Sequence, residues 1–408
     1  MNAFTPYPPN RRVYRRIVLL QLLAYGSYAP MNYYSVLLKN IGFDSARIGL
    51  LGSISSVIAA ATLPLWGVLS DKIGSARKMF LSSMVLYAAA FAFLPAAGRM
   101  TAYTYIPIYI LIVFYSLVRQ PTHSLQDAWV LSLSERYGVN FTATRKWGSF
   151  GFAVVSVFFG YITAFTGTGA TFYAAPILIV PLIILYRDFP REEGGAAPET
   201  PAQPKPGLIK IRFRVLFKNY YLMTAFIMTV SLAFYAALVS PFYPFILESA
   251  GMDPNQYGVI SGYGAFVQVV CMWVISTRCH KTPLTVLLIA GSLAGVAEQI
   301  MYGLASGFLM MMIAGTFWGV SMGIYVSTLP TYIHSLVPHT HSATALSLNG
   351  TVVLFLTIIG NYAGGLMIAS IGVDSYNYVL AALRCALTLL FMLSLFIGKK
   401  LLKTGAPQ

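Results

Sequence analysis

Charge is what this 408-residue chain has least of. Only 10% of its residues are charged, and only 12 are acidic. Water-soluble domains carry about 25% charged residues, so a soluble enzyme of this size is excluded. Cysteine is scarce as well. Cys271, Cys279 and Cys385 imply no disulfide framework. Of five histidines, His334, His339 and His341 crowd together, but they straddle Pro338 without regular ligand spacing and no cysteine lies near. No metal and no cofactor is expected. There is no Walker A sequence, so no ATP-driven pump is indicated, and no hydrolytic constellation points to an enzyme.

What the chain has is apolar length: 57% of its residues are hydrophobic and 14% are aromatic. A transmembrane helix needs roughly 20 apolar residues. Runs broken by Gly, Pro or charge mark twelve spans, at about 14–38, 46–68, 78–97, 103–131, 146–165, 171–187, 219–247, 255–276, 284–304, 307–335, 343–370 and 375–398. The fold class predicted is an all-α polytopic membrane protein. The one long polar stretch, Arg187 to Lys218, is rich in Ala, Pro and Lys and reads as a linker. It divides the chain into a six-helix bundle over 1–187, a cytoplasmic linker over 188–218 and a second six-helix bundle over 219–408.

The formal net charge of +15 does not imply nucleic acid. The basic residues sit in a few inter-helical segments, as orientation signals do. Arg11, Arg12, Arg15 and Arg16 precede the first span. Lys72, Arg77 and Lys78 lie between the second and third, and Lys399, Lys400 and Lys403 follow the last. Both termini are thus expected in the cytoplasm, in a multi-pass protein of the inner membrane whose first span is not cleaved.

The halves resemble each other. Leu37-Leu38-Lys39-Asn40-Ile41-Gly42-Phe43-Asp44 with Gly49 is echoed by Ile246-Leu247-Glu248-Ser249-Ala250-Gly251-Met252-Asp253 with Gly258, at a constant offset of 209. Asp44 and Asp253 are natural N-caps for the helices that follow. Thr142-Ala143-Thr144 is echoed by Ser342-Ala343-Thr344 at an offset of 200. An internal duplication is the expectation, as in many secondary transporters.

Between the second and third spans the chain reads Gly67-Val68-Leu69-Ser70-Asp71-Lys72-Ile73-Gly74-Ser75-Ala76-Arg77-Lys78. This resembles the signature loop of the major facilitator superfamily, with the basic pair one residue late. The resemblance implies two pseudo-symmetric bundles and a cytoplasmic gate latch at Asp71, Arg77 and Lys78. A narrower resemblance is carried by Ser124-Leu125-Gln126-Asp127-Ala128-Trp129 and by Thr144-Arg145-Lys146-Trp147-Gly148-Ser149-Phe150-Gly151-Phe152. These segments look like the lactose-permease and nucleoside-symporter branch, including phenylpropionate-permease-like proteins. In that branch a fourth-span carboxylate and a fifth-span arginine hold the sugar, spaced as Asp127 and Arg145 are here. The branch's proton-handling His and Glu of the tenth span have no counterpart in Trp318-Gly319-Val320-Ser321.

Ionisable residues inside spans are costly and default to function. Arg119, His123 and Asp127 follow one another at four-residue spacing, so they line one helix face over about 12 Å. With Arg145 they are the predicted substrate-binding or coupling set: Asp127 and His123 responding to protons, Arg119 and Arg145 engaging substrate. Tyr28, Tyr33, Tyr34, Trp129 and Tyr235 are candidates for stacking on a ring-containing solute, Tyr28 and Trp129 foremost. Glu298 and Arg384 are predicted to pair, in a structural or coupling role. Lys39 and Glu248, at equivalent repeat positions, are predicted as an outer gate.

Together these features predict a monomeric secondary transporter in the lipid bilayer, working by alternating access. Proton-coupled uptake of a sugar, nucleoside or aromatic acid is the first expectation. An exporter or lipid-linked flippase on the same fold is the alternative, and a transport-dead receptor or sensor is a third class.

Overall fold

The computed structural model describes residues 11–402 except 140, 188, 190–218, 254, 255, 280, 281 and 338–341. The linker, His339, His341 and the N-terminal ten residues therefore lie outside the described residues, and the side chains of Asp71 and Tyr235 do too.

Among the described residues, helices follow one another in twelve stretches. The first is broken by Pro30 into α1 (Arg11–Gly26), a 3-10 turn (Ala29–Tyr33) and α2 (Tyr34–Asn40). Then come α3 (Ser45–Ile73), α4 (Ala76–Met100), α5 (Ile106–Arg136), α6 (Phe141–Thr166) and, after a 3-10 turn, α7 (Ala174–Arg187). The seventh stretch is broken in turn, into α8 (Tyr220–Phe234), a π turn (Tyr235–Val239), a 3-10 turn (Ser240–Phe242) and α9 (Tyr243–Ser249). The last five are α10 (Tyr257–Arg278), α11 (Leu284–Leu304), α12 (Phe308–Ser335), α13 (Ser342–Ile371) and α14 (Val373–Leu402).

The duplication is visible in the backbone. The bounds of α2 and α9 differ by 209 at both ends, the offset of the repeated sequence. Gly42 (φ 94°) and Gly251 (φ 74°) end them in the left-handed conformation that glycine adopts without a Cβ penalty. Their N–H groups donate to Lys39 O and Glu248 O, each at 2.9 Å. Asp44 caps α3, accepting from Arg47 N–H at 2.8 Å. In the loop between α3 and α4, Gly74 takes φ 66° and Ser75 caps α4 by accepting from Lys78 N–H at 3.2 Å.

Eight helices among the described residues are long and apolar enough to cross a membrane by length and composition. The first and seventh stretches, α5 and α6 are not among them. Of these, α5 and α6 hold Arg119, His123, Asp127 and Arg145, and α1 packs against α6.

The chain forms two compact units: Met1–Gly42 with Ile54–Gly207, and Phe43–Ser53 with Leu208–Gln408. In the first, α1 crosses α6 at glycine. A Cβ on Gly151 would meet Leu22 O at 2.4 Å, and one on Gly148 would meet the Tyr25 ring at 2.5 Å. Small residues let helix backbones approach in this way inside membranes. Gly151→Val should therefore lower stability by about 1–3 kcal/mol through overpacking. Thermal melting in detergent checks this; an unchanged melting temperature would show that the crossing tolerates a side chain. In the second unit, α10 and α12 approach equally closely, with a Cβ on Gly319 placed 2.5 Å from Gly264 O. Tyr325, Leu329, Tyr332 and Phe391 are buried in that unit's core.

Candidate functional site

The site is built where α1, α5 and α6 of the first unit meet. Helix α5 contributes Arg119, His123 and Asp127, with Pro121 inside the helix beside them. Pro121 has no N–H to give the carbonyl four residues earlier. The indole of Trp66 on α3 donates to that carbonyl, Leu117 O, at 3.0 Å. The backbone beside Arg119 and His123 thus keeps its hydrogen bonding satisfied through a side chain of another helix.

Arg145, early in α6, lies 3.6 Å from Asp127 Oδ1, with the two side chains 33% and 43% exposed. Tyr25 of α1 joins them. Its hydroxyl donates to the same Oδ1 at 3.1 Å, and its ring lies 4.0 Å beneath the Arg145 guanidinium. A planar guanidinium can lie flat on an aromatic face, which lysine's compact ammonium cannot do. The close α1–α6 crossing at Gly148 and Gly151 holds the Tyr25 ring there. Carboxylate, guanidinium and phenol form one compact cluster, neutral in sum and partly open. Both Asp127 contacts use Oδ1, so Oδ2 and the remaining guanidinium N–H groups offer an acceptor beside donors.

Behind this cluster lies a buried wall. Tyr28 donates to Gln126 Oε1 at 2.8 Å, and Gln126 Nε2 donates to Gln21 Oε1 at 2.9 Å. The Tyr28 ring sits 3.8 Å from the His123 ring, and Tyr25 lies 6.0 Å from it on another side. Tyr28 therefore supports His123 rather than offering a free face to a solute.

Trp129 is a correction. It is 1% exposed and packs on Phe80, Phe189 and Tyr186 at 5.5, 5.6 and 5.9 Å. Two residues along a helix of 3.6 per turn lead to the opposite face, so Trp129 points away from the side that Asp127 presents. It belongs to the core of the first unit. Tyr33 is also buried, its hydroxyl 3.3 Å from that of Thr163.

Arg77 is buried against α7, its guanidinium 4.0 Å over the Tyr186 ring and donating to Tyr186 O at 2.5 Å. Lys78 takes part in the α4 cap through its backbone while its side chain is exposed. Lys39 lies in the last turn of α2, and Glu248, exposed, in the corresponding turn of α9. Glu298 on α11 and Arg384 on α14 form an ion pair of 3.0 Å, both fully buried.

Tyr25, Gln21 and Gln126 are site residues that the sequence reading passed over. The signal was present: Gln21, Tyr25 and Tyr28 share one face of the first span, and Gln126 adjoins Asp127.

The profile of the family described as "MFS_1 like family" matches residues 14–378. The chain belongs to this family. It is thus a multi-pass membrane transporter of the major facilitator superfamily and not an enzyme. As a family member it is similar to the maltose permease of Geobacillus stearothermophilus, at 24% identity over 359 residues, 86% of this chain and 87% of that protein. It is also similar to the sucrose permease of Escherichia coli, at 21% identity over 273 residues, 63% of each chain. Its fold matches the crystal structure of the nucleoside transporter NupG with a TM-score of 0.74 at 16% identity, covering 94% of this chain and 98% of that one.

Proposed function

We propose that this family member takes up a small polar organic solute (a sugar, a nucleoside or an aromatic acid) together with protons, by alternating access. In this reading it works as a monomer in the inner membrane with both termini in the cytoplasm. The observation that carries the reading is the partly exposed Tyr25–Asp127–Arg145 cluster. A hydroxyl of the solute donates to Asp127 while its oxygen accepts from Arg145, so one polar group satisfies both partners. When Asp127 takes a proton, its hold on Arg145 weakens and the arginine is freed for the solute. The names of the maltose and sucrose permeases and of the nucleoside transporter support a polyhydroxylated solute.

Binding tests this. Purified protein is melted with sugars, nucleosides, aromatic carboxylates and lysolipids, as wild type and as Arg145→Ala. A ligand present at 100 times its Kd adds about 2.7 kcal/mol of stability. The expected outcome is a polar-solute shift in the wild type that Arg145→Ala loses. A shift from lysolipids alone, or one that survives in Arg145→Ala, would place the binding elsewhere and favour a flippase.

A further inference from the structure

Two turns along α5 from Asp127 lies a second positive charge, Arg119. Asp127 is already matched by Arg145. Eight residues separate it from Arg119, about 12 Å along the helix. Among the described residues no carboxylate lies within ion-pair distance of Arg119. Its one close partner is the Tyr115 ring, 5.9 Å from the guanidinium carbon. Its field also reaches Tyr34, Tyr87 and His123. An isolated arginine in a span is costly.

The surroundings are hydroxyl donors short of acceptors. Tyr34 stacks on Tyr115 at 5.3 Å and Tyr87 lies 6.0 Å from it. Tyr87 is fully buried, yet its hydroxyl has no hydrogen-bond partner among the described residues, while the buried hydroxyls of Tyr34 and Ser55 have only each other. A buried hydroxyl left unsatisfied costs roughly 1–3 kcal/mol. Here three hydroxyls and one guanidinium converge, all in the first unit, all able to donate, with no anion among them.

We infer that Arg119, with Tyr34, Tyr87 and Ser55, is a carboxylate-binding subsite, and that the transported solute is an acid: a carboxylate at the Arg119 end, neutral hydrogen-bonding groups at the Tyr25–Asp127–Arg145 end. The inference rests on the reading that solute binds in the first unit. The guanidinium fork receives the two carboxylate oxygens, and the hydroxyls donate to their remaining lone pairs. An uncharged solute leaves this end unpaired, as it is now.

Matched acid and amide pairs test it on the full chain in nanodiscs: glucuronate against glucuronamide, and 4-hydroxyphenylacetate against 4-hydroxyphenylacetamide. Titration calorimetry should show the acid of at least one pair binding about tenfold or more tighter than its amide, since a site built for hydrogen bonding rejects the analogue that cannot complete it. In Arg119→Gln the preference should vanish while amide affinity holds. Tyr87→Phe combined with Tyr34→Phe keeps the rings and should shrink the preference several-fold, and it carries the test if Arg119→Gln does not fold. Equal binding of acid and amide, a preference that survives these variants, or no binding of either acid overturns the inference. Neutral sugars or nucleosides that bind through Arg145 would, in that event, leave the transport reading standing. Acid binding that needs Arg119 but not Arg145 would instead keep this subsite and remove the site proposed above.

Discussion

Glu298→Ala should destabilise the protein by about 3–5 kcal/mol, the cost of leaving a buried charge without its partner. The pair is closed to solvent on both sides, 3.0 Å apart, with each side chain at 0% exposure. Arg384 Nη2 also donates to Ser321 on α12 at 3.1 Å, so one guanidinium ties three helices. Gly295 shows how closely the niche fits: a Cβ there would lie 2.1 Å from Arg384 Cζ. Removing the carboxylate strands the guanidinium in a space shaped for it, with the Ser321 hydroxyl as its remaining side-chain acceptor. The double variant Glu298→Leu/Arg384→Met has no charge left to strand, and should melt closer to wild type than Glu298→Ala does. A direct charge swap is expected to rescue poorly, because the Gly295 niche accommodates a guanidinium only from α14. Melting curves of the single and double variants decide the matter. A single variant as stable as wild type would mean that the pair contributes nothing to the fold.

Asp127→Asn should abolish accumulation of solute against a gradient while leaving exchange of solute across the membrane measurable. The asparagine keeps the size of the side chain and an oxygen that accepts from Tyr25. It cannot take up or release a proton, and it cannot neutralise Arg145. In the proposed cycle those are the two things that link the solute to the proton gradient. Uptake driven by an imposed pH gradient should therefore fall to simple equilibration, with counterflow of labelled solute retained. Gradient-driven accumulation equal to wild type would remove Asp127 from the coupling step.

Much of this architecture is legible in the chain. Gly42 and Gly251 announce the repeated turns because the left-handed backbone needs glycine, and Asp44 announces the start of α3 because an orphan N–H needs an acceptor. The stripe Arg119–His123–Asp127 follows from helical spacing alone. Other features depend on tertiary contact. Nothing local to Tyr25 says that Gly148 and Gly151 will bring its ring under Arg145. The breaks in the first and seventh stretches, read from sequence as continuous spans, were signalled by Pro30 and Pro241, and apolar length masked them. Trp129 shows the opposite case. Its aromatic character suggested a solute contact, whereas its position two residues after Asp127 already assigned it to the other side of the helix. The signature-loop resemblance likewise implied a gate latch at Arg77, and the guanidinium is taken up by Tyr186 of the same unit.

The most direct test of the central claim is a pH recording. Proteoliposomes holding the wild type, or Arg145→Ala, are suspended in weak buffer, and the solute identified by binding is added outside. The result expected for wild type is alkalinisation of the medium as protons enter with the solute, absent for Arg145→Ala. Solute entry with no change of pH, or the same alkalinisation from Arg145→Ala, would contradict a proton-coupled transporter that binds its solute at Tyr25, Asp127 and Arg145.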